Sequence, residues 1–176
     1  MSAQLGFWLE RFDAYLATER RLAWLTRQHY RRDLEMLAGY CNDLGLAGWE
    51  QVNSDHIRRF LALRHPQGLA GRSLQRALSS IRALYRYLIR EGAAGYDPAN
   101  GVQAPKIKRR LPEVLDVDEM ACLLDGLPSS EPLLVRDVAM FELTYSCGLR
   151  LAELAALPTS AVCAGETELY VTGKGN

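Results

Sequence analysis

The stretch GRSLQRALSSIRALYRYLIRE, residues 71–91, decides how this chain is read. At 100° per residue, Leu74, Ala77, Leu78, Ile81, Leu84, Tyr85, Leu88 and Ile89 fall within one arc of about 140°. Arg72, Arg76, Arg82, Arg86 and Arg90 fill an opposite arc of about 120°. Such a pattern predicts an amphipathic helix with one apolar face and one arginine face. A solvated surface usually mixes both cations, yet no lysine occurs before Lys106. Arginine forks suit phosphate oxygens, so these five residues are candidate DNA contacts; a merely solvated face is the plain alternative.

Three further helices are expected upstream. Leu5 to Leu16 places Leu5, Phe7, Trp8, Leu9, Phe12, Tyr15 and Leu16 near a 3.6-residue period. A second helix is expected with Thr26 as N-cap, running to about Leu44 before Gly45. Ser54 is the expected cap of a third, with Ile57, Phe60 and Leu61 turned inward. His65-Pro66-Gln67-Gly68 then breaks the pattern.

The 176 residues allow one ordinary domain or two small ones, and 48% hydrophobic content permits a buried core. Charge is divided unevenly under a net of zero. Residues 1–95 carry 14 arginines against 9 acids, and residues 96–112 carry 4 basic residues against 1 acid. Residues 113–176 reverse this, with 3 basic residues and 11 acids. A basic first domain (1–95), a basic Pro/Gly linker (96–112) and an acidic second domain (113–176) follow from that division. Lys106, Lys108, Arg109 and Arg110 in the linker are candidate DNA-backbone contacts; a wet hinge is the alternative.

Several classes are set aside. No apolar run reaches the roughly 18 residues of a membrane span. MSAQLGFWLERFDAYL is not a signal peptide, and a cytoplasmic protein is expected. Cys41, Cys122, Cys147 and Cys163 show no metal-ligand spacing, nor do His29, His56 and His65, so no metal and no cofactor are expected. Gly173-Lys174-Gly175 does not complete a P-loop.

Beyond the linker, Val117-Asp118-Glu119-Met120 starts a helix with acids in its first turn. A longer helix is expected from about Pro132 to Gly148, then a short one from Leu149 to Leu157, closed by Pro158. Leu169 to Thr172 reads as one strand of a hairpin. Arg150 stands just after the Gly148 break, with Glu153 at i+3, where a guanidinium could clamp a phosphate. An intrahelical ion pair is the simpler alternative. Lys174, between two glycines, could protonate a leaving oxygen or be an ordinary turn lysine.

The order of basic helical domain, APK-type linker, LPEVLDVDEM, VRDVAMFELTYSCGLRLAELAAL and VTGKG resembles the Xer branch of the tyrosine recombinase (phage integrase) family. The linker and VRDVAM segments are similar to XerC-like rather than XerD-like members. The resemblance implies a mainly α fold: a four-helix SAM-like core-binding domain, then the helical start and first β-hairpin of an α+β catalytic domain. By resemblance, Arg150 matches the family's first catalytic arginine, Glu153 the acid that supports it, and Lys174 the general acid of the hairpin turn. It implies strand exchange through a 3′-phosphotyrosine link at a dif-like site, with a XerD-like partner and the FtsK translocase, in the resolution of chromosome dimers.

The family's His-x-x-Arg, later His/Trp and nucleophilic Tyr have no counterpart before Asn176, and Tyr145 and Tyr170 are not candidates for the nucleophile. This chain alone is therefore expected to bind DNA without cutting it. Pro158 to Cys163 also lacks the acid that the family usually carries there. A helical DNA-binding regulator without catalytic function is the rival reading. It accounts for the arginine face but not for Arg150, Glu153 and Lys174 in these contexts.

Overall fold

The computed structural model describes residues 2–64, 71–104, 111, 113–126, 131–161 and 168–173. The chain divides into two units, Met1–Arg109 and Arg110–Asn176. Among the described residues, no helix is long and apolar enough to cross a membrane.

The first unit packs four helices: α1 (Ala3–Thr18), α2 (Trp24–Asp43), α3 (Ser54–Arg64) and α4 (Gly71–Arg90). Helix α1 buries Leu5, Leu9, Phe12 and Leu16, a stripe at three- and four-residue steps. Helix α4 is the hub. It buries Leu74, Ala77, Leu78, Ile81, Leu84, Tyr85 and Leu88, as its periodicity predicts, and also Ser80 and Tyr87. Ile89, expected inside, is exposed, because the buried arc widens toward Tyr87 rather than toward Ile89.

Two aromatic side chains inside this core place their polar atoms on backbone carbonyls. The Tyr85 hydroxyl donates to the Trp49 carbonyl at 2.9 Å, and Trp49 Nε1 donates to the Leu5 carbonyl at 3.3 Å. Burial pushes the Cys41 thiol up to about 11, so it packs as a small hydrophobe.

Helix starts differ from expectation in two places. Helix α2 begins at Trp24 with Ala23 at the N-cap, not at Thr26. The preceding turn fixes that entry: Arg21 takes φ +46° and the Leu22 N–H donates to the Leu16 carbonyl at 3.0 Å. At α3 the capping side chain is Asn53, not Ser54. Its Oδ1 accepts from the N–H groups of Asp55 and His56 at 3.1 and 3.0 Å. His56 Nδ1 in turn accepts from the Asn53 N–H at 3.2 Å.

Residues 96–104, within the stretch read as linker, are part of the first unit and pack on its helices. Ala99 and Val102 are buried, and the Tyr96 hydroxyl donates to the Val52 carbonyl at 3.2 Å.

The second unit holds α5 (Val117–Asp125), α6 (Pro132–Cys147) and α7 (Leu151–Ala156). Asp116 and Glu119 cap α5 reciprocally, Pro132 opens α6, and Gly148 at φ +62° closes it, so each helix is locally well specified. None of the three buries a residue. The expected hairpin strand is not found among the described residues. Residues 168–173 carry no strand pairing, since a strand needs the backbone groups of a neighbour, and residues 162–167 and 174–176 lie outside the described ones.

Candidate active-site fragment and nucleic-acid interface

Gly148 in the left-handed region ends α6 and turns the chain directly into Arg150 at the N-cap of α7. From there Glu153, one helical turn on, reaches back. Its Oε2 accepts from the Arg150 N–H at 2.8 Å, and its Oε1 accepts from Arg150 Nη1 at 2.7 Å. The two side chains differ in exposure, 73% for Arg150 and 9% for Glu153. The carboxylate thus steadies the guanidinium on one side while its remaining donors face outward. Those hydrogen bonds, the backbone one first, hold the Glu153 carboxyl below its ordinary value.

A β-carbon on Gly173 would meet Glu153 Oε1 at 3.9 Å, so the residue before Lys174 lies beside the Arg150–Glu153 pair. Lys174 itself falls outside the described residues, as do Lys106, Lys108, Arg109 and Arg110.

The arginine face of α4 is not uniform. Arg76 donates from Nε and Nη2 to Asp33 at 2.9 and 3.2 Å, and Asp33 is 1% exposed. Arg82 donates to the carbonyls of Ala99 and Val102 at 3.3 and 2.6 Å. Arg90 binds Glu19 and Glu91 and lies 4.3 Å above the Tyr15 ring. These three hold the fold together. Arg72 and Arg86 are exposed, and their guanidinium groups have no partner among the described residues.

Two charged residues of this region escaped sequence reading. Asp33 sits in α2 at a position whose apolar neighbours gave no sign of a buried carboxylate. Arg64, at the end of α3, is also buried. Its Nη1 lies 2.8 Å from Met36 Sδ and its guanidinium 5.4 Å from the Phe60 ring. Its Nε has no partner among the described residues. Burial, with repulsion from Arg32 and Arg76, pushes its pKa down against the pull of Asp33. Only the helical partners across the core reveal either role.

Among the described residues, no group of three His, Cys, Asp or Glu side chains could hold a metal ion.

Residues 9–92 match the sequence profile of the phage integrase N-terminal SAM-like domain. These residues thus form a phage integrase N-terminal SAM-like domain. The chain is 46% identical over 167 residues to the tyrosine recombinase XerC of Pseudomonas putida, covering 95% of this chain and 56% of that protein. The chain thus spans a little over half the length of the curated relatives it matches. A lambda integrase dimer bound to a COC′ core site has a similar fold, with TM-score 0.71 and 24% identity, over 99% of this chain and 47% of that one. A lambda integrase tetramer bound to a Holliday junction gives TM-score 0.70 at 24% identity, over 99% and 48%.

Proposed function

We propose that this chain is the DNA-gripping domain and the first catalytic segment of a XerC-like site-specific recombinase. The whole enzyme cuts and rejoins DNA by transesterification through a 3′-phosphotyrosine link. It acts in the cytoplasm, with a XerD-like recombinase on a dif-like site and the FtsK translocase as regulator, to resolve chromosome dimers.

The observation that carries this reading is Arg150, a guanidinium braced by Glu153 with most of its surface free. A rigid cation of that kind stabilises the charge that develops on a phosphate oxygen during strand cleavage. Lys174, one residue beyond the glycine that lies beside Glu153, is suited to protonate the departing 5′-oxygen. On α4, Arg72 and Arg86 are the free phosphate contacts. Arg76, Arg82 and Arg90 join them only through their remaining donors, and Lys106, Lys108, Arg109 and Arg110 are further candidate phosphate contacts by sequence.

A nucleophile is needed as well, and general acid and phosphate-binding groups do not replace one. The 176 residues alone bind DNA in this reading and form no covalent adduct on a nicked suicide substrate.

The test is cleavage by a chimera of this chain with the remaining C-terminal part of the Pseudomonas putida relative, on oxygen- and 5′-sulfur-bridged substrates. Arg150→Ala lowers cleavage of both by roughly 10²–10³-fold. Lys174→Ala is expected to cut the sulfur-bridged substrate well, because a thiolate leaves without a proton. Equal rescue of both variants would remove the general-acid role from Lys174.

A further inference from the structure

Arginines without carboxylates line a hollow of about 260 Å³ between α1, α2 and α4. Its floor is apolar, made by Phe12, Leu16 and Tyr87, all buried. Tyr15 and Tyr30, both half-buried, form its walls. Of the lining cations, Arg90 is already committed to Glu19 and to the Tyr15 ring. Arg20 and Arg86 are exposed, and their guanidinium groups donate to no acceptor among the described residues.

The turn that presents Arg20 carries a second signal. Arg21 holds φ +46°, a conformation that glycine adopts without strain and a side chain does not. Arg21 is exposed and follows Arg20 directly in that turn, so the turn carries two cations. A concave surface with low-dielectric walls and charge of one sign focuses its field on an incoming anion.

We propose that the hollow is a nucleotide site, with one DNA phosphate held between Arg20 and Arg86 and the attached sugar or base against Tyr15 and Tyr30. A bare phosphate would leave the apolar floor to water, whereas a nucleotide covers it. Arg86 also belongs to the exposed strip of α4 that carries Arg72 and Ser79, so a strand lying along that strip arrives at the hollow. The assignment rests on the DNA-binding reading above and adds to it a specific contact at the α1–α2 turn.

Two measurements on the whole chain test it. In the first, deoxyadenosine monophosphate and inorganic phosphate are titrated separately, followed through arginine Nε–H and tyrosine ring NMR signals. The nucleotide shifts Arg20, Arg86, Tyr15 and Tyr30 together and saturates at lower concentration than phosphate. The Arg20→Gln/Arg86→Gln variant loses that response, while the charge-retaining Arg20→Lys/Arg86→Lys variant keeps part of it. Equal saturation by both probes, or arginine shifts without tyrosine shifts, would mean an adventitious ion only and overturn the nucleotide site.

In the second, duplex DNA binding is followed across a salt series. Arg20→Gln/Arg86→Gln flattens the log–log slope by about two units and Arg72→Gln by about one. If Arg72→Gln alone acts, the DNA reading stands and the hollow is not part of it. If neither acts, both readings fail. Both hollow arginines are exposed and have no partner among the described residues, so an unchanged melting temperature verifies that the double variant is folded.

Discussion

The two units use equally good helices and reach opposite outcomes. In Met1–Arg109, four helices enclose a continuous core from Leu5 to Val102. In Arg110–Asn176, α5 to α7 have sound caps and apolar stripes, yet Phe141 is 55% and Leu151 80% exposed. Met140, Phe141, Leu151 and Leu154 line an apolar groove of about 370 Å³. Local helix signals and a core are therefore separable. Capping and propensity specify where a helix begins and ends, but stability comes from burying its apolar face against another element. Among the described residues, α5 to α7 bury no side chain of their own.

The largest expected effect is in hydrogen exchange. Amides of α1, α2 and α4 open only with global unfolding, at several kcal/mol, whereas those of α5 to α7 open at close to zero. Protection factors measured on the whole chain should thus differ by orders of magnitude between the units. Equal protection would show that the second unit is stabilised by packing absent from its buried surface, and would erase the contrast.

Next in size are core truncations. Leu84→Ala in α4 should cost about 2–5 kcal/mol by denaturant unfolding, and Met140→Ala in α6 less than about 0.5 kcal/mol. A change at position 140 as large as that at position 84 would place Met140 in a core. Asp33 gives a polar version of the same test. Arg76→Ala strands a carboxylate that is 1% exposed, at a cost of about 3 kcal/mol. This is why Arg72 and Arg86, rather than Arg76 or Arg82, are the residues with which to probe DNA contact.

Sequence legibility follows the same division. The apolar face of α4, the stripe of α1 and the starts of α5 and α6 were readable because each is encoded within one helical segment. Arg150 and Glu153 were readable for the same reason, being one turn apart. What was not readable depends on distant partners. The arginine face looked uniform until Arg76 met Asp33, 43 positions away, and Arg82 met the carbonyls of Ala99 and Val102. Tyr87 lay outside the predicted apolar arc, but it packs against Tyr15 at 4.9 Å. Residues 96–104 lie within the Gly- and Pro-containing stretch from Gly92 to Pro112 that read as linker, although backbone irregularity does not prevent docking onto a helix.

The Asn53 cap tests whether the α3 correction is energetic as well as geometric. Asn53→Ala removes the acceptor for two orphan N–H groups and should cost about 1 kcal/mol, while Ser54→Ala costs only a few tenths. Thermal melts of the two variants decide it, and the reverse order would return the cap to Ser54.

The smallest effect is a local titration in the second unit. Glu153 is held below its ordinary value of 4.5 by the Arg150 N–H and guanidinium. Its folded value is depressed, so its contribution is complete above the unfolded value and is lost as pH falls through the folded one. The Arg150–Glu153 arrangement therefore persists through neutral and mildly acidic pH and opens only below the usual carboxylate range. Carboxyl NMR should show Glu153 titrating at lower pH in the parent chain than in Arg150→Ala as the sample is acidified. In Arg150→Ala the backbone hydrogen bond remains, so the depression should shrink without vanishing. A Glu153 that titrates alike in the parent chain and in Arg150→Ala would mean that the guanidinium does not hold the carboxylate and that the carboxylate does not brace Arg150.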